Sequence, residues 1–237
     1  AAAFPGDAEP ITVANVVRAI ATFERAIVSA RSPYDRWSYG EDDAALSESA
    51  RRGMDLFFSE RLECFHCHGG FNFTDSVAHD GQPLPESGFH NNALYDVDGR
   101  GGYPETNRGL FDQTGEPRDM GRFRAPSLRN IALTAPYMHD GSIATLWDVM
   151  DHYNKGGEPN AFLDGGIEPL ALSETEINQL VSFMFTLTDD RFAQDNKAEL
   201  ERQKKLSTTR RPLRDDAAAN RKVLPFERRM TGQNGQR

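Results

Sequence analysis

At 237 residues and 26.5 kDa the chain suits one or two domains, and a hydrophobic fraction of 38% with a mean hydropathy of -0.62 argues for a soluble protein with extended loops. No stretch approaches the roughly 20 apolar residues that a bilayer span needs, so no membrane span is expected. The net charge of -9 is unevenly spread: from Asp195 onward 12 Lys/Arg face 6 Asp/Glu, net +6, leaving -15 on residues 1–194. An acidic body of this kind disfavours nucleic acid as a partner and suits docking to a basic protein or simple solvation. The start, AAAFPGDAEP, lacks the charged and apolar regions of a signal peptide, as expected of a mature chain or a fragment.

The apolar residues Val13, Val16, Val17, Ile20, Phe23 and Ile27 recur at helical spacing and predict an amphipathic helix over residues 11–30, stopped by Ser32-Pro33. Residues 34–45, with Trp37, read as an acidic connector. Ser47 is placed to cap a second helix that runs through Phe58, with Met54, Phe57 and Phe58 on one face. From residue 69 to 130 no apolar period survives beyond four positions, which predicts a long ordered-loop region of the kind that surrounds something functional. Thr145 and Asp148 open a helix with Leu146, Val149, Met150 and Tyr153 on one face, closed by Gly156-Gly157. Ser173 and Glu176 open another, bearing Ile177, Leu180, Val181, Met184, Phe185 and Leu187. Residues 193–237 read as a charged tail with a short helix at 197–206.

The only two cysteines, Cys64 and Cys67, lie three apart with His68 next, which excludes a disulfide framework and demands a local explanation. Cys-x-x-Cys-His is the attachment signature of a c-type haem: two thiols reach the two vinyl groups, and the adjacent imidazole ligates the iron. A zinc half-site would need two further ligands, and a redox dithiol would normally sit in a strand-rich thioredoxin-like setting. His66, inside the motif, is expected to face solvent or a propionate. The occupant of the second axial position decides the chemistry. His79, His90, Met120, Met138, His139, Met150, His152 and Tyr153 are all candidates, and spacing does not choose among them.

Residues 123–146, FRAPSLRNIALTAPYMHDGSIATL, followed by Asp151-His152-Tyr153-Asn154, resemble the C-terminal haem domain of the bacterial di-haem cytochrome c peroxidase/MauG family. The loop from Phe89-His90-Asn91-Asn92 through Leu94-Tyr95-Asp96-Val97-Asp98-Gly99-Arg100-Gly101 is similar to its MbnH-like branch, and the likeness covers about residues 11–192. The resemblance implies that His68 is the proximal ligand and that Tyr153 stands where MauG-like members place an axial Tyr and typical peroxidases a Met. A hard phenolate there favours ferric and higher oxidation states. The resemblance further implies that the carbonyls of Thr134 and Pro136 help bind a structural Ca²⁺, and that Arg124 and Arg129 pair with propionates or serve as structural ion pairs.

The family carries two Cys-x-x-Cys-His motifs and this chain one, so it resembles half of such an enzyme. The expectation is an all-α, cytochrome c-like haem domain with long irregular loops around one covalent haem. Residues 1–45 would form an N-terminal helix and connector, 46–192 the haem domain and 193–237 the tail. The function implied is the electron-transfer, high-valent-storing half of a di-haem peroxidase that uses H₂O₂ and acts on a protein substrate, a tryptophan on a partner in the MbnH-like branch. Its partners would be an N-terminal haem domain or second haem-bearing chain and a protein electron donor or substrate, and its compartment the periplasm. A stand-alone monohaem electron carrier is the alternative.

Overall fold

The computed structural model describes residues 3–77 and 88–210, the last three of them by backbone alone. Contacts divide the chain into two units, the second beginning at Arg31, so residues 31–45 belong with the haem-motif unit and not with the N-terminal helix.

The first unit holds α1 (Val13–Glu24), capped by the Thr12 hydroxyl, which accepts from the Asn15 amide at 3.1 Å. Asn15 is buried through bonds to Asp7 (2.7 Å) and the Pro10 carbonyl (3.0 Å). The helix ends six residues before the expected limit. Beyond Arg25 only turn bonds remain, Ala26 to Phe23 and Ile27 to Glu24. The β-branched Ile27 and Val28 add χ1 restriction, and both are exposed, so no packing supports further propagation. The expected apolar stripe is present, and Val13, Val16, Val17, Ile20, Phe23 and Ile27 all stand exposed.

In the second unit Ser32-Pro33 starts a helix where a stop and a connector are expected. α2 (Pro33–Tyr39) has Pro at its first turn, and Ser32 and Asp35 exchange the two bonds of a capping box. α3 (Glu48–Phe57), capped by Ser47, packs on α7 (Glu174–Phe185), whose own capping box is Ser173/Glu176, both as the sequence predicts. Gly53 sits where they meet: a Cβ there would lie 1.9 Å from the Gln179 carbonyl oxygen. Between them Tyr34, Phe57, Phe58, Phe73 and Phe183 make edge-on and tilted ring contacts with centroids 5.1–6.3 Å apart.

The segment from residue 69 to 130 is irregular where described, apart from the two-residue antiparallel pair β1 (Phe89–His90) and β2 (Phe123–Arg124), the single turn α5 (Phe111–Thr114) and a 3₁₀ turn at Pro117–Asp119. Strand is therefore scarce, though not absent. Side chains replace secondary structure in satisfying this backbone. The fully buried Asn91 donates to the Met120 carbonyl (2.8 Å) and accepts from the Ala93 amide (2.7 Å) and the Tyr103 hydroxyl (2.8 Å).

α6 (Leu146–Asn154) is capped by Thr145, and Gly156 and Gly157 close it with bonds back to the Tyr153 and His152 carbonyls. The expected tail is instead a helix from its outset, α8 (Ala193–Arg210). Its anchor is polar: the fully buried Gln203 accepts from the Leu146 amide at 2.8 Å and donates to the Tyr137 hydroxyl at 2.7 Å. Gln203 thus satisfies an orphan donor in the first turn of α6. The rest of the expected tail, residues 211–237, lies outside the described residues.

The close α3–α7 approach gives a direct test. Gly53→Ala forces backbone apart at the centre of the core and is expected to lower the unfolding free energy of the haem-loaded chain by about 1–3 kcal/mol, read by urea denaturation.

Candidate haem site

Cys64 and Cys67 occupy the single turn α4 (Cys64–Cys67), entered through Glu63 in the left-handed region at φ 52°. Both are free thiols, placed by one helical turn on the same side. The Cys64 sulfur points to the Leu62 carbonyl at 3.6 Å, and burial pushes its thiol up to about 12. That is opposite to the lowered thiol of a redox dithiol. Among the described residues the cysteines also lack the further ligands of a zinc site, because the grouping with metal-binding spacing is Glu60, Glu63 and His66. His66 itself is more than half exposed, as expected.

His68 follows at the end of the turn. Its Nδ1 lies 3.2 Å from the Phe73 carbonyl oxygen, an acceptor, so Nδ1 carries the proton, and the Pro126 backbone is a second hydrogen-bonding neighbour of the ring. Burial lowers its pKa and keeps the ring neutral, the state a metal requires. Phe73 is itself fixed, 1% exposed in the aromatic cluster and at φ 51°. Thr74 then ties this loop to the 123–130 segment by donating to the Ala125 carbonyl at 2.6 Å.

Tyr153 projects from the third turn of α6. Burial pushes its phenol up, Asn92 opposes this, and the nearby Cys67 and Cys64 thiols reinforce it. The Asn92 side-chain amide donates to its oxygen at 3.3 Å and to the Met138 sulfur at 3.4 Å, while the Asn92 carbonyl accepts from His152 Nε2 at 2.9 Å.

The remaining axial candidates separate on geometry. His90 is bonded at both nitrogens, Nε2 to Asp75 (2.6 Å) and Nδ1 to Asp164 (2.9 Å). A bond with the Cys67 sulfur, and then the two carboxylates, push it up to about 10 against the opposing effect of burial, so it has no lone pair to offer. His139 stacks on Phe123 with ring centroids 3.8 Å apart. Met150 is buried in the core cluster. His152 is committed to Asn92. The Met120 carbonyl anchors Asn91. His79 lies outside the described residues. Tyr153 and Met138 remain, and the Asn92 amide brings the two together by donating to both.

The arginines also part company. Arg129 is not free for a propionate: its guanidinium bonds both oxygens of buried Asp35 (2.9 and 3.0 Å), donates to the Phe71 carbonyl (2.9 Å) and covers the Phe71 ring at 4.0 Å. The geometry matches the structural ion pair. Arg124 is exposed, with its guanidinium 5.1 Å from the Phe89 ring centre. Thr134 and Pro136 flank Ala135 at a cis Ala135–Pro136 bond. Sequence reasoning missed Asp35, Asp75, Asn92 and Asp164 as site-organising residues. For Asp35 the signal was present, as Ser-Pro-x-Asp is a capping-box pattern; the others depend on contacts distant in sequence.

The donor set fits a covalent haem: two thiols at the required spacing, an imidazole whose Nδ1 is held by a backbone carbonyl, and a phenol oxygen held by the Asn92 amide. Breaking the buried Asp35–Arg129 pair at either end is expected to cost about 3–5 kcal/mol of stability. The paired change Asp35→Leu with Arg129→Met should cost less than either single variant. All three should retain haem when urea unfolding and haem absorbance are measured together.

Comparison with known proteins agrees with this geometry. Residues 1–43 match a family model described as di-haem cytochrome c peroxidase, and residues 122–156 one described as RoxA-like, cytochrome c-like. The methylamine utilization protein MauG of Methylorubrum extorquens is 36% identical over 182 residues, 77% of this chain and 46% of that protein. A cytochrome-c peroxidase of Denitromonas iodatirespirans is 38% identical over 185 residues, 72% of this chain and 48% of that protein. The solved structure of a MauG-like protein associated with microbial copper homeostasis is 49% identical with a TM-score of 0.72, covering 80% of this chain and 57% of that one. The chain thus spans about half the length of the curated relatives it matches, and it belongs to the di-haem cytochrome c peroxidase/MauG family.

Proposed function

We propose that the chain is the electron-transfer half of a MauG-like di-haem peroxidase, carrying one haem c bound covalently through Cys64 and Cys67 with His68 and Tyr153 as its axial ligands. The observation that carries this reading is the Cys64–Cys67 turn followed by His68, whose Nδ1 is held by the Phe73 carbonyl, together with the Tyr153 phenol held by the Asn92 amide. When bound, a haem would supply a one-electron store, held by Cys64, Cys67, His68 and Tyr153.

The chain's residues then have defined tasks. Phe73 holds the proton of His68 on Nδ1 and fixes the ring plane. Tyr153 offers a hard oxygen, which favours the oxidised metal. A closed sixth position leaves no room for H₂O₂, so peroxide reduction is assigned to a second haem on an N-terminal domain or separate chain. Oxidising equivalents would pass from there through this half to or from a protein substrate or donor.

The exposed apolar stripe of α1 and the single attachment motif support such a partner half. The 49% identity to a MauG-like protein supports the MauG-like branch over the typical peroxidases. Covalent haem attachment outside the bacterial cytoplasm supports a periplasmic location, and no helix among the described residues is long and apolar enough to cross a membrane. Arg124 is the arginine left for a propionate. Calcium takes about six to eight oxygens, so the carbonyls of Thr134 and Pro136 supply a minority of such a shell, with water and the partner half providing the rest.

Tyr153→Phe is expected to keep the covalent haem but change the ferric absorption and EPR spectra from those of a phenolate-ligated iron. An unchanged spectrum removes Tyr153 as ligand. Separately, H₂O₂ titration of the haem-loaded chain alone should give little oxidation, and titration with a haem-bearing partner half should oxidise this haem. Simple one-electron redox regardless of partner would favour the stand-alone carrier.

A further inference from the structure

Within the long irregular segment, Asn92 and Ala93 meet the C-terminal end of α6 and the turn that closes it. Its backbone carbonyl accepts from His152 Nε2 at 2.9 Å, and the neighbouring Ala93 carbonyl accepts from the Glu158 amide at 2.8 Å. Gly157, at φ +75°, permits the approach, because a Cβ there would lie 2.8 Å from the Ala93 Cβ and 3.0 Å from the Asn92 oxygen. On the other side Asn91 locks the loop through its three buried bonds. The backbone of Asn92 is thus held on both flanks. Its side-chain amide has two acceptors, the Tyr153 oxygen at 3.3 Å and the Met138 sulfur at 3.4 Å, which fix which way the amide points.

We infer that Asn92 is the positioning residue of the axial phenolate: its amide N–H donates to the Tyr153 oxygen, stabilises the anionic form in a buried setting, and weakens its donation to iron. The inference rests on Tyr153 being the iron ligand. The chemistry follows from the donor and acceptor roles. A phenolate on iron has lost its proton and still carries a lone pair, so it accepts, and an amide N–H can only donate. A buried anion without such a donor carries a large desolvation penalty, and a hydrogen bond to a charged group is worth roughly 1.5–3 kcal/mol. The same amide holds the Met138 sulfur, the other potential ligand nearby, by a bond to its lone pairs. The bond to the Tyr153 oxygen also withdraws charge from the phenolate, so it raises the reduction potential above that of an unassisted phenolate site.

The test uses the haem-loaded chain. Asn92→Leu keeps the volume and removes the donor. It is expected to shift the phenolate-to-iron charge-transfer band to lower energy and to move the ferric/ferrous equilibrium about tenfold towards ferric, the size of one hydrogen bond to a charged acceptor. Asn92→Gln, which restores a donor, should recover part of both shifts. An unchanged band and unchanged potential in Asn92→Leu, with haem content and thermal stability retained, would overturn the inference. Should that variant fail to load haem, the unaltered protein decides: the iron–phenolate stretch in its resonance Raman spectrum is expected to move on exchange into D₂O, and an immobile stretch overturns the inference. Tyr153→Phe separates the two failures. Loss of the charge-transfer band there with no effect of Asn92→Leu refutes the Asn92 role alone, whereas an unchanged spectrum in Tyr153→Phe refutes the ligand assignment and this inference with it.

Discussion

An imidazole can present one nitrogen to a metal in a fixed direction only if its other nitrogen is held, and here the holding group is the Phe73 carbonyl, 3.2 Å from His68 Nδ1. Phe73 is in turn immobilised by the rings of Tyr34, Phe57, Phe58 and Phe183, which come from α2, α3 and α7. The packing of α3 against α7 over Gly53 therefore acts on the orientation of His68 through the Phe73 carbonyl. The second ligand has an independent support. Tyr153 is carried by α6, whose first turn is capped by Thr145 and by Gln203 of α8, and whose last turn is closed by Gly156 and Gly157.

The loops between them lack regular structure and are nonetheless ordered by side chains that bond backbone. Asn91, Asn160 and Tyr103 each satisfy amides or carbonyls that a helix or sheet would otherwise satisfy: Asn160 donates to the Tyr95 carbonyl at 2.7 Å and accepts from the Phe162 amide at 2.8 Å. Such a region is costly in conformational entropy. The burial it secures around the Cys64–His68 turn and Tyr153 is the return on that cost. The raised Cys64 thiol and the doubly bonded His90 point the same way, since a redox dithiol needs the thiolate and a second histidine ligand needs a lone pair.

Much of this was legible in the residues. Ser47, Thr145 and Ser173 announce their helices because an N-cap hydroxyl acts within three residues of its own position, and the Cys-x-x-Cys-His spacing is equally local. What escaped was governed by contacts distant in sequence. Ser32-Pro33 read as a stop because Pro ends helices in their interior, yet at the first turn it starts one. α8 has no apolar period, and its attachment depends on one glutamine reaching the start of α6. Arg129 could have served a propionate or a carboxylate, and only the fold brings Asp35 within 3 Å. The sixth ligand could not be chosen from spacing, since eight candidates shared the sequence and the geometry alone commits His90, His139 and His152 elsewhere.

The account stands or falls on a porphyrin joined to the peptide by thioether bonds. The most direct measurement is acid-acetone extraction of the purified, denatured protein, followed by proteolysis and mass spectrometry of the coloured fragment. The expected result is that colour stays with the protein and that one haem is found on the peptide containing Cys64 and Cys67. Colour that passes into the acetone, or a Cys64–Cys67 peptide of unmodified mass, would contradict it.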